Sequence, residues 1–290
     1  MTVPPGAPTG VPDAAAVMAK AGAENFTVAS RLLPKASRRH LLAIYGFARL
    51  VDDVGDESAL DRGTALDWLE AELVRAAEGR ADHPVLVSVG TTIRECGLPL
   101  DPFRRLIEAN RQDQVITRYA TYDDLLGYCT LSATPVGELV LRVFGMATPD
   151  RLALSDHVCS GLQVVEHLQD VAEDLDRGRI YVPLEDLARF GCTETDLAAP
   201  SASAAVRAVI RYEAARARDH LTAGPVLAGT LRGRMRIAVA GYVAGGLAAL
   251  DAIDAVDGDV LGVECRPRPG RVAVQLASVM VTAARTRGTA

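Results

Sequence analysis

Two widely separated acidic clusters contain the residues of this sequence that are best suited to chemistry. The first holds Asp52 and Asp56, and the second holds Glu166, Asp170 and Asp174. Residues four apart share one face of a helix, so each cluster would present a row of carboxylates. Such a row repels itself unless a cation lies among its members, and magnesium typically joins one or two carboxylates to substrate phosphates. The pattern therefore indicates a site where two helices hold a diphosphate through metal ions.

A solvated helix surface is the alternative explanation for each cluster, because runs of charge usually lie on exposed faces. The surroundings of the clusters favour a cavity instead. The first cluster follows a largely apolar stretch, residues 45–51, within which Arg49 lies one helical turn before Asp52. The second cluster follows an apolar pair and is itself followed by Arg177 and Arg179. Acidic residues beside buried stripes, with arginines nearby, are typical of a lined cavity.

The composition narrows the class of protein. The chain has 290 residues, of which 49% are hydrophobic and only 4% aromatic, and its formal net charge is −6. These values allow a sizeable core, favour closely packed helices and argue against nucleic acid as a partner. The five cysteines are scattered and form no CxxC pair, which argues against a disulfide framework or a zinc site and fits a reducing cytoplasm.

Helical periodicity dominates the sequence, and we find no alternating strand pattern and no internal repeat. The predicted helices cover residues 39–54, 65–78, 85–95, 101–114, 122–129, 152–175, 203–223, 234–253 and 272–285. Pro135 should break or kink the chain after the fifth of them. We therefore predict one all-α domain over residues 16–286, preceded by a disordered segment over residues 1–15 that is rich in proline, glycine and alanine.

One apolar stretch, residues 237–250, resembles part of a membrane span. It is shorter than the ~20 apolar residues that a spanning helix needs, and Asp251 and Asp254 follow it directly. A buried helix is the better interpretation. The N-terminus lacks the charged start and apolar core of a signal peptide. We therefore expect a cytoplasmic location, with peripheral contact to the inner face of the membrane left open.

The order of several motifs identifies a family resemblance. In chain order these motifs are NFTVASRLLP at 25–34, Tyr45, Arg49, the DxxxD of Asp52 and Asp56, GYC at 127–129, Gln163, Asp170, Asp174 and RGRIYVP at 177–183. Together they resemble the squalene/phytoene synthase family, the head-to-head trans-isoprenyl diphosphate synthases, over residues 24–283. Segments 106–114 and 132–137 resemble most closely the hopanoid-pathway branch that makes hydroxysqualene.

The resemblance implies a fold and a metal site. The fold would be an all-α, single-domain isoprenoid-synthase helical bundle around a central cavity. Magnesium, or manganese in its place, would bind the diphosphate and stabilise its charge as it leaves. The metal ligands would be Asp52, Asp56, Asp170 and Asp174.

The resemblance also assigns roles to residues around the metal. Substrate contacts would come from Asn25, Tyr45, Arg49 and Arg179, and catalytic roles would belong to Tyr128, Gln163 and Glu166. Salt bridges to neighbouring acids are the alternative for the two arginines, and a core position is the alternative for Tyr128. Glu166 would either orient the attacking water or act as a stronger magnesium ligand. His167 would be structural.

Several positions depart from the usual family pattern. They are Ala23 and Asn25 in place of serines, Glu166 in place of asparagine, Gln169 in place of arginine, and Gly246 in place of tyrosine, with Tyr242 one turn earlier. These changes remove hydrogen-bond donors and one cation from the polar end of the cavity. An enzyme that joins two diphosphates must hold two highly charged groups, whereas one that starts from a single C30 diphosphate holds only one.

The departures therefore favour conversion of presqualene diphosphate and water to hydroxysqualene and diphosphate, in squalene and hopanoid biosynthesis. One alternative is condensation of two farnesyl diphosphates to presqualene diphosphate, dehydrosqualene, squalene or a phytoene-type product. Another is a non-catalytic isoprenoid-binding or assembly factor. The implied partner is an isoprenoid diphosphate and not a nucleic acid, while membrane contact and functional coupling to other squalene-pathway enzymes stay open.

Overall fold

The computed structural model describes residues 11–19, 33–57 and 61–286. Within these ranges the backbone forms fifteen α-helices and no strand, and its one isolated β-bridge joins Arg118 to Ile180. The all-α class that the periodicity predicted is confirmed. Residues 1–10, which include most of the segment predicted to be disordered, lie outside the described part of the chain, as do Ala23 and Asn25.

The helices group into two compact units, and one acidic cluster lies in each. The first unit comprises Met1–Val115 and Thr134–Thr148, and the second comprises Ile116–Ala133 and Pro149–Ala290. The described helices of the first unit are α1 (Ala14–Ala19), α2 (Lys35–Glu57), α3 (Arg62–Ala77), α4 (Pro84–Cys96), α5 (Asp101–Gln112) and α7 (Thr134–Val143). The extent predicted for a single domain, residues 16–286, stays a prediction.

The second unit contains the remaining described helices. They are α6 (Tyr122–Ser132), α8 (Pro149–Gln169), α9 (Val171–Asp176), α10 (Leu184–Arg189), α11 (Glu194–Leu197), α12 (Ala204–Leu221), α13 (Ala223–Thr230), α14 (Gly233–Ala255) and α15 (Pro269–Thr286). α14 is the one described helix that is long and apolar enough to cross a membrane, but 61% of its apolar window is buried inside the protein. It is therefore a core helix, as the interpretation of residues 237–250 proposed.

The rotation of α2 is set by its apolar face. Five side chains at helical spacing on this face are almost completely buried: Ile44, Phe47, Leu50, Val51 and Val54. Burying each large apolar side chain stabilises the fold by roughly 1.5–3 kcal/mol, so turning this helix would be costly. Phe47 also meets Phe103 of α5 edge to face, with ring centroids 5.1 Å apart. Because this face is fixed, Asp52 and Asp56 must point away from the core.

α3 and α4 approach each other closely at Gly90. A Cβ atom at this position would lie 2.0 Å from the carbonyl oxygen of Ala76 in α3. Pro84 begins α4 at a position where its missing N–H is not needed. Gly97 ends the same helix in the left-handed region, with φ of +61°. Pro84 and Gly97 thus set the two ends of α4, and Gly90 allows its close contact with α3.

The predicted helix at residues 152–175 is wrong at one residue. The chain leaves helical geometry at Asp170, with φ of −105° and ψ of 15°, so that α8 ends and α9 begins on either side of it. The Asp170 N–H still donates to the Glu166 carbonyl at 3.0 Å, and the Asp174 N–H to the Asp170 carbonyl at 2.7 Å. Because these bonds persist across the break, the apolar pattern stays in phase and gives no sign of it. The break predicted at Pro135 is confirmed, since α6 and α7 are separated at Ala133.

Candidate active site

The first aspartate pair is held by a neighbouring amide in the first unit. The Asn110 Nδ2 of α5 donates to Asp52 Oδ1 at 3.1 Å. Gly55 makes room for this amide, because a Cβ at position 55 would lie 2.2 Å from Asn110 Oδ1. Arg49 donates from Nε to Asp53 Oδ1 at 3.1 Å, and the Asp53 side chain is only 2% exposed. Arg49 therefore forms a salt bridge with Asp53, and its charge also acts on Asp52. A substrate contact by Arg49 stays a prediction.

The electrostatic environment of Asp52 disfavours an isolated charge. Desolvation by the surrounding protein raises the pKa of Asp52 to about 7, and repulsion from Asp56 and Asp53 acts in the same direction. The Asn110 hydrogen bond and the charge of Arg49 oppose the shift. Asp52 still exposes more than a third of its surface, and this contact with water limits the size of the penalty. The raised pKa means that the charged form of Asp52 is disfavoured in the protein alone. A cation bound beside Asp52 would stabilise this charge.

The second aspartate pair lies at the break between α8 and α9 in the second unit. Asp170 is exposed and Asp174 is buried, with 8% of its surface accessible. Desolvation raises the pKa of Asp170 to about 6, and repulsion from Asp174 and Glu173 adds to the shift. The Asp174 Oδ2 is buried and has no hydrogen-bond partner among the described residues. A buried carboxylate oxygen without a partner is costly unless a cation or a donor reaches it.

His167 lies between two of the predicted site residues. Its Nδ1 is 3.7 Å from Asp174 Oδ2, and its Nε2 is 3.2 Å from the amide nitrogen of Gln163. The imidazole stacks on Tyr181, with centroids 3.7 Å apart and planes 13° from parallel. The sequence alone predicts a structural role for His167. In a continuous helix, residues seven apart lie two turns, about 10.5 Å, apart along the axis. The chain leaves helical geometry at Asp170 between His167 and Asp174, so their spacing in the sequence gives no sign of this contact.

Tyr128 belongs to a buried aromatic cluster. Its ring centroid is 5.5 Å from those of both Tyr119 and Tyr181, and the residue is only 6% exposed. Tyr119 and Tyr181 also stack, with centroids 5.7 Å apart. Tyr128 therefore occupies a core position, which was the alternative to a catalytic role. Stabilisation of a carbocation by Tyr128 stays a prediction.

The segment 177–183, which we call the flap, is tied to the strand-like residues before α6. The Ile180 N–H donates to the Thr117 carbonyl at 2.9 Å, and Arg118 Nη1 donates to the Gly178 carbonyl at 2.7 Å. Arg118 also forms a two-point contact with Glu194, with both N···O distances at 2.8 Å. Arg179 is only 8% exposed, and its N–H donates to the Asp174 carbonyl at 2.8 Å. The flap backbone is thereby fixed directly beside the second aspartate pair.

Two of the departures from the family pattern have visible structural consequences. The Gln169 amide donates to the Cys265 carbonyl and so joins the end of α8 to the segment before α15. At Gly246, a Cβ would lie 2.4 Å from Cδ2 of Leu162. Leu162 therefore occupies the space next to Gly246, and a larger side chain would have to displace it. Neither Gln169 nor Gly246 supplies the polar group of the arginine or tyrosine that is usual at these positions.

A buried ionic network anchors the helix that follows the flap. Arg216 Nη1 contacts Asp186 Oδ2 at 2.8 Å and Glu213 Oε1 at 3.2 Å, and both acids are almost fully buried. The Arg216 guanidinium also lies 3.4 Å from the ring centroid of Tyr122. Burial, above all, raises the pKa of Glu213 to about 8, despite the opposing charge of Arg216. The single arginine therefore balances Asp186, while Glu213 keeps its proton at neutral pH.

We expect Glu213→Gln to remove a pH-dependent loss of stability. The folded protein keeps the Glu213 proton up to about pH 8, whereas the unfolded chain loses it near its ordinary pKa of ~4.3. The free energy of unfolding should therefore fall as pH rises between these values, by about 1.4 kcal/mol per pH unit. Urea unfolding from pH 5.5 to 8.5 should show a smaller decline for the glutamine variant. Equal pH slopes for the variant, the wild type and the exposed-site control Glu108→Gln would contradict this assignment.

The donor set of each aspartate pair fits magnesium. Among the residues that the structure describes, no group of three or more His, Cys, Asp or Glu side chains forms a metal site by itself. Magnesium does not require such a group, because it keeps several waters and binds one or two carboxylates together with substrate phosphates. The raised pKa values of Asp52 and Asp170 and the unpartnered oxygen of Asp174 are the features that a cation would relieve.

Comparison with known proteins gives a consistent result. The model of the family described as squalene/phytoene synthase matches residues 19–277. A hydroxysqualene synthase of Sinorhizobium fredii is 36% identical over 70% of both chains. A phytoene synthase of Arthrospira platensis is 34% identical over 69% of this chain and 70% of its own. The crystal structure of squalene synthase HpnC from Alicyclobacillus acidocaldarius is 43% identical, covers 84% of this chain and 92% of its own, and superposes with a TM-score of 0.77.

Proposed function

Because the chain belongs to the squalene/phytoene synthase family, we propose that it converts presqualene diphosphate and water to hydroxysqualene and diphosphate. The observation that carries this proposal is the similarity to hydroxysqualene synthases, which extends over 70% of both chains in the example from Sinorhizobium fredii. Both aspartate pairs are present, which argues against a non-catalytic scaffold, since such a protein gains nothing from self-repelling carboxylates. Coupling to other squalene-pathway enzymes stays a prediction.

The proposed reaction begins with the departure of diphosphate. Magnesium bound to the carboxylates would neutralise the charge that develops on the leaving group. Magnesium ions would be held by Asp52 and Asp56 in the first unit and by Asp170 and Asp174 in the second. The Asn110 amide would keep Asp52 in one orientation through its hydrogen bond. His167 lies beside Asp174, with its Nδ1 3.7 Å from Asp174 Oδ2, and would limit the positions that this buried carboxylate can take. The carbon–oxygen bond breaks with its electron pair leaving on diphosphate.

The second stage is capture of the rearranged carbocation by water. The water oxygen forms the new carbon–oxygen bond, and one of its protons must pass to a base. Glu166 is half-buried one turn before Asp170 and is a candidate for that base. Apolar surroundings must exclude other water, since early capture would give the wrong alcohol. This use of water needs no reductant.

The choice of presqualene diphosphate rests on polar groups that the chain lacks. Gln169 carries no charge and is occupied by the Cys265 carbonyl, and the space at Gly246 is filled by Leu162. A second diphosphate would therefore find fewer donors than in relatives that have arginine and tyrosine there. Condensation of two farnesyl diphosphates is the second candidate, favoured by the similarity to phytoene synthases.

Product analysis tests the proposal directly. The purified chain should be incubated with magnesium and either presqualene diphosphate or farnesyl diphosphate, and the lipids identified by mass spectrometry. We expect presqualene diphosphate to give hydroxysqualene and farnesyl diphosphate to be consumed poorly. Efficient conversion of farnesyl diphosphate alone to a C30 or C40 product would overturn the assignment and favour the second candidate.

Glu166→Gln separates the two roles proposed for this residue. If Glu166 accepts the proton of the attacking water, ionisation should continue while the product shifts from the alcohol towards hydrocarbons. If it is a metal ligand, diphosphate release should slow and the magnesium requirement rise, with the product ratio unchanged. We expect the shift in product. Diphosphate release and the alcohol-to-hydrocarbon ratio should be measured on the same samples, and an unchanged ratio would remove Glu166 from the capture step.

A further inference from the structure

The last helix leaves an apolar face uncovered. Only two residues of α15, Val279 and Ala283, are buried. Val274 and Val281 expose 57% and 53% of their surfaces, and their spacing of seven residues places them on one side of the helix, two turns apart. The same side carries three further exposed alanines, Ala273, Ala277 and Ala284, together with one exposed polar residue, Ser278. An exposed apolar row on one side of a helix becomes a candidate membrane contact when basic residues lie beside it.

This face is bordered by positive charge. α15 contains two arginines, Arg271 and Arg285, and no acidic residue. Arg268 lies immediately before the helix, and it and Arg285 have no ion-pair partner among the described residues. Arg271 pairs with Asp251 at 2.9 Å. The chain as a whole has a net charge of −6, so this surface is opposite in sign to the rest of the protein.

The neighbouring helices α13 and α14 also carry exposed hydrophobic and basic residues. Among the described residues of the second unit, most of the exposed large hydrophobic side chains lie on α13, α14 and α15, with Val226 at 40% and Ile237 at 37%. α13 and α14 both pack against α15. Two exposed arginines, Arg232 and Arg234, lie at the start of α14. The apolar and cationic residues are thus concentrated on one group of helices.

We propose that the outer face of α15 docks this protein on the surface of a bilayer containing anionic lipid. Arginines beside an exposed apolar helix face are the combination that binds the headgroup region of such a membrane. The row consists of valine and alanine with one serine, Ser278, and has no aromatic residue. The apolar contact is therefore shallow, and binding must depend on charge. The inference rests on the proposed function for its purpose, because both substrate and product carry long hydrocarbon chains.

A second copy of the chain is the alternative occupant, and the size of the face argues against it. An 18-residue helix is about 27 Å long, and a strip about 10 Å wide along it covers about 270 Å². Stable protein–protein interfaces bury about 800 Å² on each partner. The concentration of arginine would also place like charges opposite each other in a symmetric dimer. A bilayer imposes neither requirement.

Vesicle flotation with the full-length chain tests the proposal. The probes are phosphatidylcholine vesicles with and without phosphatidylglycerol, at low and at high salt. We expect binding only to vesicles with phosphatidylglycerol, and release at high salt. The double variant Val274→Glu/Val281→Glu should bind at least tenfold more weakly, whereas Val87→Glu, at a 46% exposed valine of α4 in the first unit, should bind normally. Binding that ignores lipid charge, or an unchanged double variant, would overturn the proposal.

Two further measurements keep the outcomes distinct. Light scattering reports the oligomeric state, and a wild-type dimer that the double variant converts to a monomer would overturn membrane docking in favour of self-association. Turnover of presqualene diphosphate delivered in detergent should be the same for wild type and double variant, while delivery in anionic vesicles should favour the wild type. If the wild type turns over no presqualene diphosphate but still floats through α15, the proposed function fails and the docking surface stands.

Discussion

Replacing Asp52 or Asp170 by alanine is expected to lower turnover at least ~100-fold, which is the usual loss when a main electrostatic stabiliser of the leaving group is removed. In the proposed metal site, each substitution would remove one oxygen ligand from a pair, so magnesium and diphosphate should bind together less tightly. The fold should survive, because both carboxylates are desolvated and repelled by neighbouring acids in the metal-free chain. Steady-state rates across a magnesium titration, together with circular dichroism, measure both effects.

The control for this experiment is Asp67→Ala in α3, at an aspartate whose side chain is 74% exposed. It should retain normal turnover. Magnesium with inorganic diphosphate should also raise the melting temperature of the wild type and of the control, but not of the two site variants. Near-normal rates for Asp52→Ala or Asp170→Ala in the absence of magnesium would show that diphosphate is not activated through these residues.

Gly90→Ala is expected to destabilise the first unit by about 3 kcal/mol, at the upper end of the cost of overpacking. The added methyl group would lie 2.0 Å from the Ala76 carbonyl oxygen and 2.6 Å from its carbon. This carbonyl cannot easily move, because it accepts hydrogen bonds from the Gly79 N–H at 3.0 Å and from Arg94 Nη1 at 2.6 Å. α3 and α4 would have to separate, and the loss would appear as a lower midpoint in urea unfolding.

The matched control is Gly241→Ala in α14, where no atom other than those of the adjoining residues and the helix's own nearby backbone lies within 4 Å of the added Cβ. Alanine is favoured over glycine by roughly 0.5–1 kcal/mol inside a helix, so this variant should be as stable as the wild type or slightly more stable. The same chemical change should thus have opposite signs at the two positions. An unfolding midpoint for Gly90→Ala equal to that of the wild type would mean that α3 and α4 do not cross as closely as described.

The sequence predicted the long helices well because their evidence is local. Apolar residues at helical spacing mark α2 and α12, and Gly79 and Gly97 mark the ends of α3 and α4. The shortest described helices are α1, α9 and α10, with six residues each, and α11, with four. Two turns or fewer contain too little periodicity to distinguish a helix from a loop. The break at Asp170 could not be predicted for a different reason. The helical hydrogen bonds continue across it, so the apolar pattern of the sequence stays in phase.

The sequence shows which residue types form the candidate site, but it does not show which residues contact each other there. Aspartates at helical spacing could be recognised from either cluster alone. The Asn110 amide on Asp52 and the Gln169 amide on the Cys265 carbonyl join residues far apart in the chain. Leu162 likewise fills the space beside Gly246 from another helix. Such pairs depend on how helices pack, and a single sequence carries no local signal for them.

The fit between Gly55 and Asn110 has a consequence for how this sequence can vary. The amide reaches Asp52 only because position 55 has no side chain, since a Cβ there would fall 2.2 Å from Asn110 Oδ1. A side chain at position 55 therefore fits only when residue 110 has a smaller side chain than asparagine. A protein with such a residue at 110 has lost the hydrogen-bond donor to Asp52. The two positions should covary among homologues as a linked pair, and the order in which substitutions arise at them should be constrained: loss of the amide first, gain of a side chain second.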